Sequence, residues 1–315
     1  MRTRFYSGLL LVVVLLIPSC SKSFQAPFRL GINSWPGFAP LYIAKQNGQY
    51  AGQGINIIEL PSTTEAIHAL AMDNLEAAAL TLDEALTVID LGIDIQIVLV
   101  LDTSNGADAL VSKPNINTLS ELAGRTLAVE RSAVGAFMLE QALSSVNIST
   151  KDINVVNCAF DQHSVCFESV DAIVTFEPTV SYLVGRGANI LFDSAQIPNT
   201  VIDVIAVKRK VVEQRPNTIL SLIEGYYHAR EFMQQEPDLT RRYVSKFLRI
   251  DLSSVDGTLD KIYMPTQSEV ETLMSGEPSQ LMLSARRLEA LMKSNDLLSN
   301  YQEPEHLTTN EFITP

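Results

Sequence analysis

The chain has 315 residues, 46% of them hydrophobic and 19% charged, with 14 Pro, 15 Gly and 3 Cys, a balance that excludes disordered, collagen-like and disulfide-framework proteins. Its 36 acids against 23 bases give a net charge of −13, and no basic run exceeds Lys208-Arg209-Lys210, so a nucleic acid is excluded as partner. At about 100 to 200 residues per domain the length predicts two domains, and two domains leave a cleft between them.

Residues 1–19 read as an export signal: Arg2 and Arg4, an apolar run from Leu9 to Ile17, then Ile17-Pro18-Ser19-Cys20. The run is shorter than the ~20 residues a membrane span needs. Its ending resembles a lipoprotein box, in which Cys20 receives lipid and the chain is cut before it, although Pro18 departs from the usual pattern; plain secretion is the alternative. Residues 20–27 then form a lipidated linker, and the protein resides in the periplasm or at the cell surface, anchored to a membrane. Losing Arg2 and Arg4 and no acid takes the mature charge to −15. Cys158 and Cys166 become the only unmodified thiols in an oxidising compartment, as a local disulfide or as two buried cysteines. With His163 they could form three metal ligands, but a fourth at zinc-like spacing is missing, and no metal is expected.

Downstream, Phe28 to Asn33 reads as a strand, Pro40 to Gln46 as a helix, and Ile55 to Leu60 as a strand. Ser62-Thr63-Thr64-Glu65 caps a helix that runs through Met72. Ala77 to Leu80, a helix Asp83 to Leu91, and Ile95 to Leu101 follow. The pattern restarts with a helical turn at Leu119 to Gly124, a strand Thr126 to Glu130 and a helix Ala133 to Val146. Strands Ile153 to Asn157, Ala172 to Thr175 and Ile190 to Phe192 come next, with a helix Pro178 to Val184. After Val201 to Val207 the predicted elements are helices: Thr218 to Gln235, Leu239 to Leu248 and Gln280 to Ser294. Strands alternating with helices point to parallel sheets, here in two α/β units with a helical tail.

Four segments carry a family likeness: Leu30-Gly31-Ile32-Asn33, Pro36-Gly37-Phe38-Ala39-Pro40-Leu41-Tyr42-Ile43-Ala44, Ala66 to Asp73, and Leu119 to Ala128. They resemble the periplasmic solute-binding proteins of ABC importers, in the group that takes nitrate, sulfonates, taurine and thiamine-precursor pyrimidines. The likeness extends over residues 28–207; the helical tail fits it without specific motifs. It implies the type II-like two-lobe periplasmic-binding-protein fold, each lobe a mainly parallel sheet flanked by helices. Lobe 1 would be discontinuous, residues 28–108 plus 206–315, and lobe 2 would be 109–205, with crossings near Ala107 to Lys113 and Thr200 to Lys208. An ABC permease is the implied partner, and a monomer is expected.

Ligands of such sheets sit beyond the carboxyl ends of strands, which selects one loop after each strand. The first, Asn33 to Phe38, holds Trp35, the single tryptophan. Trp35 and Phe38 could stack on a ring or a cation. The second offers Thr63, at a helix start that would look the same as a plain cap. Thr81, Asp83 and Glu84 follow the third strand, and Asp102, Ser104, Asn105 and Asp108 the fourth. In lobe 2 the equivalents are Ser132, and Phe176 with Glu177. Five of these residues are acids, and Arg131 is the one base at the tips, so the expected ligand is a small nitrogen-containing cationic or aromatic metabolite. The alternatives are a sulfonate- or nitrate-type anion, or a lobe that senses ligand for a membrane signalling protein.

Phosphate loops, nucleophile elbows and His-Glu-x-x-His patterns are missing, so neither catalysis nor a cofactor is expected. The fungal enzymes that make the thiamine pyrimidine share the implied fold and remain a remote alternative; Cys158 to Cys166 only faintly echoes their cysteine cluster.

Overall fold

In the computed structural model, which describes residues 26–130 and 134–313, eleven strands form two sheets. β1 (Phe28–Ile32), β2 (Ile55–Glu59), β3 (Ala77–Thr81) and β4 (Ile95–Ser104) lie in the first. β5 (Asp108–Ser112), β6 (Thr126–Val129), β7 (Asn154–Asn157), β8 (Ala172–Phe176) and β9 (Asn189–Asp193) form the second. β10 (Ile202–Lys208) and β11 (Ile262–Tyr263) return to the first. The orders are β11-β4-β10-β3-β1-β2 and β7-β6-β8-β5-β9.

Most strands in each sheet share one direction, and a reversed strand is inserted among them. β10 runs antiparallel to both β3 and β4, and β5 runs antiparallel to both β8 and β9. These two inserted strands are the first that the chain builds after each passage between the sheets; β11, at the edge of the first sheet, is also reversed, antiparallel to β4. The first passage is Asn105-Gly106-Ala107, where Gly106 takes φ 95°, a left-handed conformation with little cost for glycine alone. The sequence marks Ala107 to Lys113 as a crossing, and within it Asp108–Ser112 is a strand whose partners lie 60 or more residues away.

Helices cover both sheets. α1 (Ala39–Gln46), α2 (Thr63–Ala71) and α3 (Leu82–Asp90) follow the first three strands. α4 (Val134–Ser144), α5 (His163–Ser169) and α6 (Thr179–Val184) flank the second sheet. Six more make up the tail: α7 (Arg209–Gln214), α8 (Pro216–Gln235), α9 (Pro237–Leu248), α10 (Val255–Leu259), α11 (Gln267–Met274) and α12 (Gln280–Ser294). The sequence does not predict α5, α7, α10 or α11. No described helix is long and apolar enough to cross a membrane. The second sheet has an apolar core on each face. Phe137, Phe160 and Phe176 from that half join instead the large core of the first sheet, so aromatic side chains stitch the halves together across the cleft.

Candidate functional site

The floor of the cleft is a row of polar side chains at one edge of the first sheet. Asp203, at the start of β10, pairs with Thr81 of β3 on one side and Asp102 of β4 on the other. Because β10 is reversed, its beginning lies where its neighbours end. Asn33, just after β1, donates from Nδ2 to Thr63 Oγ1 at 2.9 Å and accepts the Trp35 backbone N–H on Oδ1 at 3.0 Å. That double contact shapes the loop. It aims the Trp35 indole inward, where Nε1 donates to Asp102 Oδ1 at 3.1 Å. The Thr81 N–H donates to Glu84 Oε2 at 2.8 Å, so Glu84 caps the start of α3 from within the cleft.

The roof comes from the second sheet. Phe176 meets Trp35 edge-on with ring centroids 5.5 Å apart, and Phe160 stacks on Phe176 at 3.9 Å. A disulfide between Cys158 and Cys166 closes the segment that carries Phe160. Beside it, His163 Nε2 lies 3.2 Å from the Cys158 carbonyl and Nδ1 lies 2.9 Å from Thr175 Oγ1. A carbonyl only accepts, so Nε2 carries the proton and Nδ1 accepts from the threonine hydroxyl. Burial pushes this imidazole down to about 4, which keeps it neutral. No metal-binding group of His, Cys, Asp or Glu occurs among the described residues.

Side-chain contacts between the halves include the following. The Thr64 hydroxyl donates to the Glu130 carboxylate and its N–H reaches the same oxygen at 3.3 Å. Lys261 pairs with the fully buried Glu177. Ser104 and Ser194 share a 2.7 Å hydrogen bond beside the first passage. Between floor and roof remains a narrow cavity of about 20 Å³, space for about one water in this closed arrangement. Larger grooves of about 530 and 640 Å³ lie along the tail, but neither contains a buried carboxylate.

Trp35, Phe38, Thr63, Thr81, Glu84, Asp108 and Phe176 line the cavity as the loop positions predict. Asp83 and Asp102 are buried next to it rather than in its wall. Ser104 braces the passage, and Asn105 lies outside the cavity, its N–H bonded to the Lys261 carbonyl. Glu177 is taken up by Lys261 and by the N–H and hydroxyl of Ser181. Ser132, Cys20 and the export signal lie outside the described residues. Asn33, Val134 and Asp203 also line the cavity, and Asp203 escaped the sequence because it begins a strand instead of following one.

Acids dominate the electrostatics. Burial, against local hydrogen bonds, pushes Asp83 up to about 6 and Asp102 and Asp108 up to about 7, while burial reinforced by the charges of Asp102, Asp108 and Glu84 holds Asp203 well above the usual carboxylate range. Burial and then the Asp83 charge raise Glu84 to about 8. Asp108 Oδ2 and Asp203 Oδ2 are buried and have no hydrogen-bond partner among the described residues, although both residues face the cavity. A ligand that brings N–H donors or positive charge would satisfy them.

The family model described as the NMT1-like family matches residues 21–249. Among solved structures, the alkanesulfonate-binding protein SsuA from Xanthomonas axonopodis pv. citri bound to MOPS is similar with a TM-score of 0.76 at 16% identity, over 87% of this chain and 95% of that one. The periplasmic aliphatic sulphonate binding protein SsuA from Escherichia coli gives 0.71 at 17% identity, over 90% and 97%. The desulfurization enzyme DSZB gives 0.67 at 15% identity, over 92% and 98%. Such likeness establishes a fold used by binding proteins and by an enzyme. No curated protein matches the chain by sequence.

Proposed function

Because the chain belongs to the NMT1-like family and has the fold of periplasmic solute-binding proteins, we propose that it captures a small solute between its two halves and hands it to an ABC importer. The lobes of this clamp would be the expected residues 28–108 with 206–315 and residues 109–205, with Asp108 moved to the second lobe and residues 202–205 to the first, because β5 and β10 belong to those sheets. A lipid on Cys20 would keep it beside its permease, and Cys20→Ser should then release it from membranes or leave its signal uncleaved.

The preferred ligand is a small organic cation. One observation carries this: two buried carboxylate oxygens, Asp108 Oδ2 and Asp203 Oδ2, face the cavity unpartnered, beneath aromatic rings suited to cover an apolar or cationic face. A sulfonate is the second reading, and the comparisons favour it, since both SsuA proteins are named for sulfonates. For an anion the donors would be hydroxyls such as Thr63 and Thr81, and the carboxyl groups would have to be protonated. Thermal-shift screening with amines and with sulfonates separates the two, followed by calorimetry on Asp108→Asn. A cation should bind that variant about ten- to a hundredfold more weakly; equal or tighter binding of a sulfonate would establish the anion instead.

A further inference from the structure

Asp102 and Asp203 are register partners on neighbouring antiparallel strands, so their carboxyl groups stand side by side on one face of the sheet. An ionised carboxylate only accepts, so a bond between two carboxyl groups requires a proton on one of them. Two such neighbours, at 0% and 2% exposure, cannot both be charged without a counter-ion.

Among the described residues none is in direct contact with the pair. From the loop after β1, Trp35 Nε1 donates to Asp102. From α8, Arg230 attracts Asp102 only at a distance, because its guanidinium is bonded to the Tyr226 hydroxyl and to the carbonyls of Met264 and Pro265. Tyr226 spends its own hydroxyl proton on the Leu101 carbonyl. From β5 and α3, Asp108, Asp83 and Glu84 add only negative charge, and Lys261 is occupied with Glu177. The second oxygen of Asp203 meanwhile faces the cavity unpartnered, as does that of Asp108.

We infer that the Asp102–Asp203 pair holds one proton while the cleft is empty and releases it when a cationic solute arrives, so that capture is a cation-for-proton exchange. This rests on the cation reading above. The pair with its proton carries one negative charge. The entering cation leaves both carboxylates ionised against it, and the proton goes to solvent, so charge balances. Affinity for a cation then falls about tenfold per unit of pH below the pair's titration, as expected when one proton competes with one ligand.

Trp35 reports the pair directly, being the single tryptophan and bonded to Asp102. Its fluorescence in the unliganded protein should titrate between the ordinary carboxylate range and alkaline pH, as the pair loses its proton. In Asp203→Asn, whose amide can donate to Asp102 without a shared proton, the transition should disappear from that range. A flat wild-type profile, or an unchanged midpoint in the variant, overturns the exchange. If the variant does not fold, Asp203→Ser and the wild-type profile decide in the same way. Ethylammonium, methylguanidinium and ethanesulfonate serve as probes in thermal shift at both ends of that range. Stronger protection by a cation at the alkaline end supports the exchange; equal protection at both ends overturns it and leaves the cation reading standing. Protection by ethanesulfonate alone overturns the cation reading, and the exchange with it.

Discussion

The indole of Trp35 donates to the carboxylate of Asp102 at 3.1 Å, tying the loop after the first strand to the end of the fourth at the base of the cleft. Trp35→Phe keeps an aromatic ring but removes the donor together with part of the buried indole. Leaving a buried acid short of one partner should cost about 1 to 3 kcal/mol, read as a lower urea midpoint by circular dichroism. An unchanged midpoint would show that Asp102 has no need of the indole.

Gly37 is where this arrangement is tightest. A Cβ there would stand 2.0 Å from Asp102 Oδ2 and 2.5 Å from Trp35 Nε1, closer than either atom can tolerate. Gly37→Ala must therefore push the two apart, with a loss of about 1 to 3 kcal/mol typical of overpacking and weaker ligand binding. Retention of both stability and affinity would mean that the loop adapts freely.

The cleft acids set the pH dependence of the empty protein. Folding raises Asp83, Asp102, Asp108 and Glu84 to between about 6 and 8, so the folded state binds more protons than the unfolded chain from the ordinary carboxylate range up to those values. Stability should therefore fall as pH rises through about 6 to 8, a slope opposite to that of salt-bridged acids. Glu269, lowered to about 2 by its bonds to Tyr263 and Thr266, contributes the opposite way and only in acid. The melting temperature of ligand-free protein, followed from pH 8 to 5.5, should rise; a monotonic fall would contradict the burial of these charges.

The Cys158–Cys166 disulfide closes a short loop, for which chain entropy predicts about 2.5 kcal/mol. Replacing both cysteines with serine should lower the urea midpoint accordingly and loosen Phe160 over Phe176. If stability is kept, the stacked rings and the His163 hydrogen bonds hold this segment unaided.

Much of the site is legible in sequence because Trp35, Phe38, Thr63, Thr81 and Phe176 obey a local rule: each follows or ends a strand or opens the next helix. The rest depends on pairings that no local pattern encodes. Asp203 looks like the second residue of an apolar strand, and only the reversal of that strand brings it beside Asp102. Glu130 reads as a strand end until α2 from the other half places Thr64 against it. Glu177 and Asn105 obey the rule, yet Lys261, far along the chain, draws both away from the cavity. His163 stands between two cysteines in sequence, but its partners are a hydroxyl and a carbonyl rather than a metal.

The position of β10 also fixes an order of assembly. The second sheet is built from one uninterrupted stretch, Asp108 to Asp193, and can form as soon as that stretch has been synthesised. The first cannot, because β10 sits between β3 and β4 and is made only after the whole second sheet. Until then β3 and β4, both apolar, present open edges of the kind that pair with the wrong strand. The nascent chain therefore carries a finished half and an unfinished one, and the unfinished one needs shielding until residue 208 has emerged.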